Sequence, residues 1–386
     1  MSGKTIRLGA VLGAMVASAV LCCVRIAGVR RAVVRDVSAQ EVGEDRALPV
    51  RRARIVVAGD LMQHLPQVQA ARRDSGFDYT ECFRYLKPIF DSADLVLLNL
   101  ETTLTRRGRH TGYPLFRSPA ELGAALRHIG VDVAVLANNH ICDNGAYGIA
   151  TTVGVLSEAG VAYTGAFADS ADYRSRTPLM LRAGELSVAL LNYTYGTNGM
   201  PVPAGCTVNL IDTAAIDRDL RRIDRSQTDC VMLFLHWGDE YARRPNAEQR
   251  RLADFCRRRG VELIVGSHPH VVQPIEIRFD TLRGRATGAT FYSLGNLVSN
   301  QRSRFCDGGV VATLELERTA GEPVSVEVSY TPVWVSLPGY RILPAGAGDT
   351  AAMSPAARAA CRRFLSDTRS LLAEEPLLRE RFYRFD

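Results

Sequence analysis

Six stretches of this 386-residue chain end an apolar, strand-like run in a residue able to bind a metal or move a proton. They are ARIVVAGD at Asp60, DLVLLNLE at Glu101, DVAVLANNH at Asn139 and His140, VMLFLHWGDE at His236, VELIVGSHPH at His268 and His270, and TFYSLGN at Asn296. Carboxylate, imidazole and amide oxygen make a hard-to-borderline donor set that suits Zn, Mn or Fe. Two such ions sharing a carboxylate activate a water and clamp the oxygens of a phosphoryl or acyl transition state, and Glu101 is placed to be the shared group. His268 and His270 flank Pro269; on a strand they would share one face, and in a loop each can reach a different ion. Four of the seven histidines sit at these strand ends, and a fifth, His64, follows Asp60 by four residues. His110 and His128 read as ordinary hydrogen-bonding residues.

In an open α/β sheet, ligands bind outside the carboxyl ends of the strands, so the six runs are expected to point at one rim. Helical patterns over residues 79–93, 119–129, 146–159, 213–224 and 247–259 lie between them, which is the signature of a largely parallel, helix-covered sheet. After His270 strand follows strand (VVQPIEIRF, ATFYSLGNLV, GVVATLELE, PVSVEVSYTPVWV), and we expect a mixed or antiparallel second sheet completing a sandwich. Residues 192–210, rich in Gly, Pro, Asn and Tyr, follow a strand and read as a substrate-facing loop. Residues 355–372 have helical spacing and are expected to pack outside the sheet.

Composition narrows the function classes. The chain is 47% apolar and 23% charged, ordinary for a globular protein. Its net charge of +6 is carried by six cations among the first 35 residues, and the remaining 41 basic and 41 acidic residues cancel, so no nucleic-acid partner is expected. Between Arg7 and Arg25 run 17 uncharged residues, LGAVLGAMVASAVLCCV, which read as a membrane anchor or signal segment. The arginines that follow favour retention of the carboxyl side in the cytoplasm. Nine cysteines without a C-x-x-C pair indicate neither a zinc ribbon nor a redox motif, and most read as small core residues. The expected organisation is an N-terminal segment at 1–24, a linker at 25–52, a catalytic domain at 53–345 and a helical extension at 346–386.

The series GDLM, NLE, NNHxxDxG, HWGxEY, GSHPHxxQ and SLGN resembles the capsule-synthesis CapA family, associated with poly-γ-glutamate capsules, over residues 55–343. That family is similar in motif order to the calcineurin-like metallophosphoesterases. The resemblance implies an α/β fold of metallo-dependent phosphatase type, a four-layer α-β-β-α sandwich with the motifs on loops along one edge. It implies that Asp60, Glu101 and His270 serve one divalent ion, and that Glu101, Asn139, His236 and His268 serve a second. It makes His140 the proton donor to a leaving group, Asp143 the residue orienting it, and Asn296, Trp237 and Glu240 lining groups of the pocket, with Tyr195 and Asn198 contributed by the 192–210 loop. One departure stands out: metallophosphoesterases usually open with Asp-x-His, and here Met62 holds the histidine's place. His64 is the candidate to fill it.

The resulting expectation is a cell-envelope hydrolase with two divalent metals (Mn, Zn or Fe) and an extracytoplasmic catalytic domain. Metal-activated water would attack a phosphoester or an amide of an anionic polymer. The membrane, through the N-terminal segment, and other capsule-synthesis membrane proteins are the expected partners. The alternative is a non-catalytic assembly or export factor that binds the polymer in the same pocket. A cytosolic phosphatase requires that the N-terminal segment be neither anchor nor signal.

Overall fold

The computed structural model describes residues 49–347 and 353–385, and the expected anchor and most of the expected linker lie outside the described residues. The chain enters its first strand at Val50, inside the stretch read as linker, and Val50–Leu61 becomes the organising strand of the larger sheet. That sheet runs in the order Arg341–Pro344, Ser325–Ser336, Gly308–Thr319, Val50–Leu61, Leu95–Leu100, Val133–Val135, Ala162–Thr164. The smaller sheet runs Leu179–Ala183, Leu186–Thr194, Cys230–His236, Leu263–Ser267, Arg285–Phe291, Ile275–Asp280.

Alternation along the strands sorts the core into layers. Ile55 and Val57 of the first sheet face Val188, Leu190, Met232, Phe234, Leu263 and Val265 of the second, so the two sheets pack face to face. Val56 and Ala58 turn the other way, onto Leu86, Phe90, Leu122, Leu126, Ile149 and Leu156. On the far side of the second sheet, Leu191, Val231, Leu233 and Ile264 pack on Ile216, Leu220, Leu252 and Cys256 of the helices Thr213–Leu220 and Ala247–Arg258. Helices therefore cover both outer faces, and the architecture is the four-layer α-β-β-α sandwich. The free thiols at Cys142, Cys230, Cys256, Cys306 and Cys361 are buried, as small core residues should be.

Two expectations are corrected. The late strands do not build a sheet of their own: Gly308–Thr319 pairs antiparallel with Val50–Leu61, whereas Arg285–Phe291 and Ile275–Asp280 join the second sheet. The helical pattern at 79–93 resolves into Thr80–Phe83 and Lys87–Phe90, because Pro88 tolerates only the first turn of a helix. The tail is also more deeply integrated than an outer layer. Ser354 caps Pro355–Leu372, Phe364 packs with Trp334 and Leu343, Leu371 and Leu372 reach the core between the sheets, and Arg379–Glu380 pairs with Ser329 and Tyr330. Among the described residues no helix is long and apolar enough to cross a membrane.

Candidate metal centre

Parallel pairing aligns the carboxyl ends that matter. Val50–Leu61, Leu95–Leu100 and Val133–Val135 are mutually parallel in one sheet, as are Leu186–Thr194, Cys230–His236 and Leu263–Ser267 in the other. The short strand Asn296–Val298 lies parallel beside Val50–Leu61, with Asn296 opposite Asp60. Gly59 makes this approach possible: a Cβ there would stand 2.0 Å from the Gly295 carbonyl oxygen, and the ladder shifts register at this point. The Asp60 amide then donates to that carbonyl at 3.0 Å.

Asp60, Glu101, His236, His268 and His270 are all buried. Asn99 Nδ2 donates to Asp60 Oδ1 (2.9 Å) and to Glu101 Oε2 (3.1 Å), locking the two carboxylates together. Asp60 Oδ2 accepts from the His268 amide (3.2 Å) and pairs with His270 Nδ1 (3.1 Å). With Nδ1 as the donor, His270 Nε2 carries a lone pair, 3.7 Å from Glu101 Oε1. Glu101 Oε1 also lies 3.8 Å from His236 Nε2, and it is buried with no hydrogen-bond partner among the described residues. His268 Nδ1 is buried and unpartnered as well. His268 and His270 hold φ of +97° and +59°, so they leave the strand in left-handed loop geometry, a strain of the kind found at ligand clamps.

Electrostatics agree with this geometry. Burial, then the charges of Asp60, Glu240 and Asp143, drive the Glu101 carboxyl well above its usual range. Burial, then neighbouring His268, His270 and His140, hold His236 well below the usual imidazole value. Burial, then His270, brings His268 down to about 3. The rings of His236 and His268 are thus neutral lone-pair donors at neutral pH, and the Glu101 carboxyl favours its protonated form until something outside the chain compensates its charge. Three sets of donor atoms lie close enough to hold an ion: Asp60, Glu101 and His270; Glu101, His236 and His268; and Glu240, His268 and His270. His236 Nε2 and Asn139 Oδ1 meet at 2.9 Å, two potential ligand atoms that share a proton an ion can replace. The cluster fits divalent-metal binding.

Beside it stands a dyad. His140 Nδ1 bonds Asp143 Oδ2 at 2.8 Å, and the Phe116 amide donates to the same oxygen at 2.7 Å. The Phe116 ring lies edge-on to His140, centroids 4.6 Å apart, which fixes the imidazole plane. Asn198 Oδ1 accepts from Asn139 Nδ2 (3.2 Å) and from Tyr195 Oη (3.3 Å). The half-exposed Tyr195 ring covers His268 at 4.5 Å. Asn296 is buried, its Nδ2 tied to Gln301 and to the Cys306 carbonyl and its Oδ1 unpartnered.

Two expected site residues stand outside the three donor sets, Trp237 on the opposite strand face and His64 against Phe116 beside the dyad. Trp237 points away from the rim into the outer core, stacked on Tyr292 with Nε1 donating to the Tyr292 carbonyl (2.9 Å), because strand alternation turns the residue after His236 to the opposite face. His64 caps the helix Leu65–Ala71, and its Nδ1 receives the Asn300 amide at 3.3 Å; burial brings it down to about 4, and it belongs to none of the three donor sets. Two participants escaped sequence reasoning: Asn99 and Ser267, whose Oγ meets His236 Nδ1 at 2.9 Å. Asn99 was findable, since it precedes Glu101 by two residues on the same strand face.

Comparison with known proteins sets this site in a family. Residues 54–301 match the family described as "Bacterial capsule synthesis protein PGA_cap". The "PGA biosynthesis protein CapA" of Bacillus subtilis is 28% identical over 247 residues, covering 63% of this chain and 62% of that protein. The "Capsule biosynthesis protein CapA" of Bacillus anthracis is 29% identical over 261 residues, covering 64% and 60%. The chain thus spans about three-fifths of the length of these relatives. Among solved structures, an NAD nucleotidase of Haemophilus influenzae aligns with 87% of this chain and 58% of its own at 11% identity and a TM-score of 0.41. From the strand-end motifs to the matched residues, this chain belongs to the bacterial capsule synthesis protein PGA_cap family.

Proposed function

We propose that this chain is a metal-dependent hydrolase of the cell envelope that acts in capsule biosynthesis on a phosphoester or an amide of an anionic polymer. The observation that carries the reading is Glu101 Oε1, buried, unpartnered and 3.8 and 3.7 Å from the ring nitrogens of His236 and His270. Asp60, Glu101 and His270 would hold one divalent ion, and Glu101, Asn139, His236 and His268 a second. When bound, such ions supply Lewis-acid polarisation of a phosphoryl or acyl oxygen and an acidified water. The chain supplies the rest. Asp143 fixes the His140 ring through Nδ1, so that Nε2 delivers a proton to the leaving group, a contribution of about 10²- to 10⁴-fold. Phe116 shields that hydrogen bond. Tyr195 and Asn198 bear on the substrate side of the ligands, and the buried Asn296 Oδ1 offers an acceptor at the same rim.

Family membership supports an envelope role, and the capsule and PGA biosynthesis named for the relatives, together with the resemblance of the motifs to poly-γ-glutamate capsule proteins, supports an anionic polymer as the substrate. The test is hydrolysis of a panel of phosphomonoesters, phosphodiesters and γ-glutamyl amides by the purified chain reloaded with Mn²⁺ or Zn²⁺. Turnover that disappears in His140→Ala while metal content persists is the expected result. Absence of turnover on every substrate, with polymer binding intact in His140→Ala, would favour an assembly or export factor that uses the pocket only for recognition.

A further inference from the structure

We infer that Glu240 is a metal ligand, a carboxylate donor beside His268 and His270 in a chain whose Met62 supplies none; the inference rests on the reading of the rim as a divalent-metal centre. Met62 is 2% exposed, and its thioether is a soft, neutral group unlike the carboxylate and imidazole donors of the rim. His64 does not replace it, being engaged with Asn300 and the helix cap. Glu240 offers a carboxylate oxygen close to ring nitrogens of both His268 and His270, all within 4.8 Å of one another.

The loop that carries Glu240 is built for this placement. The Trp237 amide donates to the Ser267 carbonyl (3.1 Å) and the Tyr241 amide to the Pro269 carbonyl (2.8 Å), so the segment is pinned at both ends to the histidine loop. Gly238 turns with φ +87°, where a Cβ would stand 2.6 Å from the Gln249 side chain, and Tyr241 turns with φ +67°. Gln249 is held in turn by Gln273 at 2.9 Å. Strand parity sends Trp237 into the core, and this double turn leaves Glu240 at the rim. A second, independent observation points to a ligand there: His268 Nδ1, in a side chain only 4% exposed, has no partner among the described residues. A carboxylate in place of a histidine hardens the donor set and adds one negative charge, which favours Mn²⁺ or Fe²⁺ over softer ions.

The test is Mn²⁺ titration calorimetry on the metal-free purified chain, with Glu240→Gln and His64→Ala beside the native protein, and visible absorption of the Co²⁺-loaded forms. The expected result is a loss of one ion, or a weakening of roughly tenfold or more, in Glu240→Gln, with shifted Co²⁺ bands and native behaviour in His64→Ala. Thermal unfolding in chelator verifies that both variants fold. Native stoichiometry, affinity and Co²⁺ bands in Glu240→Gln would overturn the inference, as would a selective loss in His64→Ala. A native chain that takes up no Mn²⁺ would instead remove the metal centre on which the inference depends.

Discussion

The strand Cys230–His236 joins two buried polar clusters, and they are wired in opposite ways. Just before its first residue lies Asp229, 8% exposed, which receives Arg51 Nη1 at 2.9 Å, the Ser187 amide at 2.9 Å and Ser187 Oγ at 3.1 Å, with Arg318 at 3.5 Å. Burial pushes its carboxyl up, but Arg51 and the Ser187 donors outweigh burial and hold it below the usual range. At the strand's other end His236 faces Glu101, whose carboxyl is driven up and whose Oε1 has no partner. A carboxylate that serves the fold is paired by the chain itself. One with an oxygen left without a donor among the described residues, at comparable burial, is destabilising unless something outside the chain completes it, and that contrast marks the rim as a candidate site.

Substitutions at the rim and at Asp229 should differ in what they cost. Replacing His140 with Ala should lower turnover by about 10²- to 10⁴-fold while elemental analysis finds unchanged metal; loss of metal and fold together would make His140 structural. Asp229→Ala should destabilise the protein by about 1–3 kcal/mol, discounted because Arg51 is 41% exposed, and denaturant unfolding would show it. Glu101→Gln should behave oppositely. In chelator its unfolding midpoint should equal or exceed the native one, since the change removes an uncompensated buried acid; a large destabilisation would mean that Glu101 serves the fold as Asp229 does.

The smallest effect is a pH dependence. Unfolded, His268 titrates near 6.5, and folded it titrates near 3, so the native state binds fewer protons across that window. Its contribution to stability is present above pH 6.5 and is lost as pH falls toward 3. Glu101 has the opposite sign: its raised value favours the metal-free fold at low pH and loses that contribution as pH rises. Because an ion must displace the Glu101 proton, Mn²⁺ affinity should fall as pH is lowered, and calorimetry at several pH values would reveal a flat profile if Glu101 were not a ligand.

Much of the rim was readable in the sequence because apolar runs with terminal chemistry are local signals. Asp60, Glu101, Asn139, His236, His268 and His270 lie within one network for that reason. What escaped depended on long-range pairing or loop geometry. No local pattern says that Gly308–Thr319 crosses to Val50–Leu61 while Arg285–Phe291 joins the other sheet. The left-handed turns at Gly238 and Tyr241 decide that Glu240 stays near the histidines, and strand parity at His236 decides that Trp237 does not. His64 follows Asp60 closely in sequence, but Leu65–Ala71 begins at once and takes the residue as its cap, which leaves it beside Phe116 and outside the three donor sets.

On the metal-centre reading, a divalent ion completes the Glu101 carboxylate at the rim. Inductively coupled plasma analysis of the native chain, Glu101→Gln and Asp229→Asn after equilibration with Mn²⁺ and Zn²⁺ tests it most directly. Retained metal in the native chain and in folded Asp229→Asn, with the deepest loss in Glu101→Gln, is the result this account requires. Equal metal in native and Glu101→Gln, or none in any of the three, would contradict it.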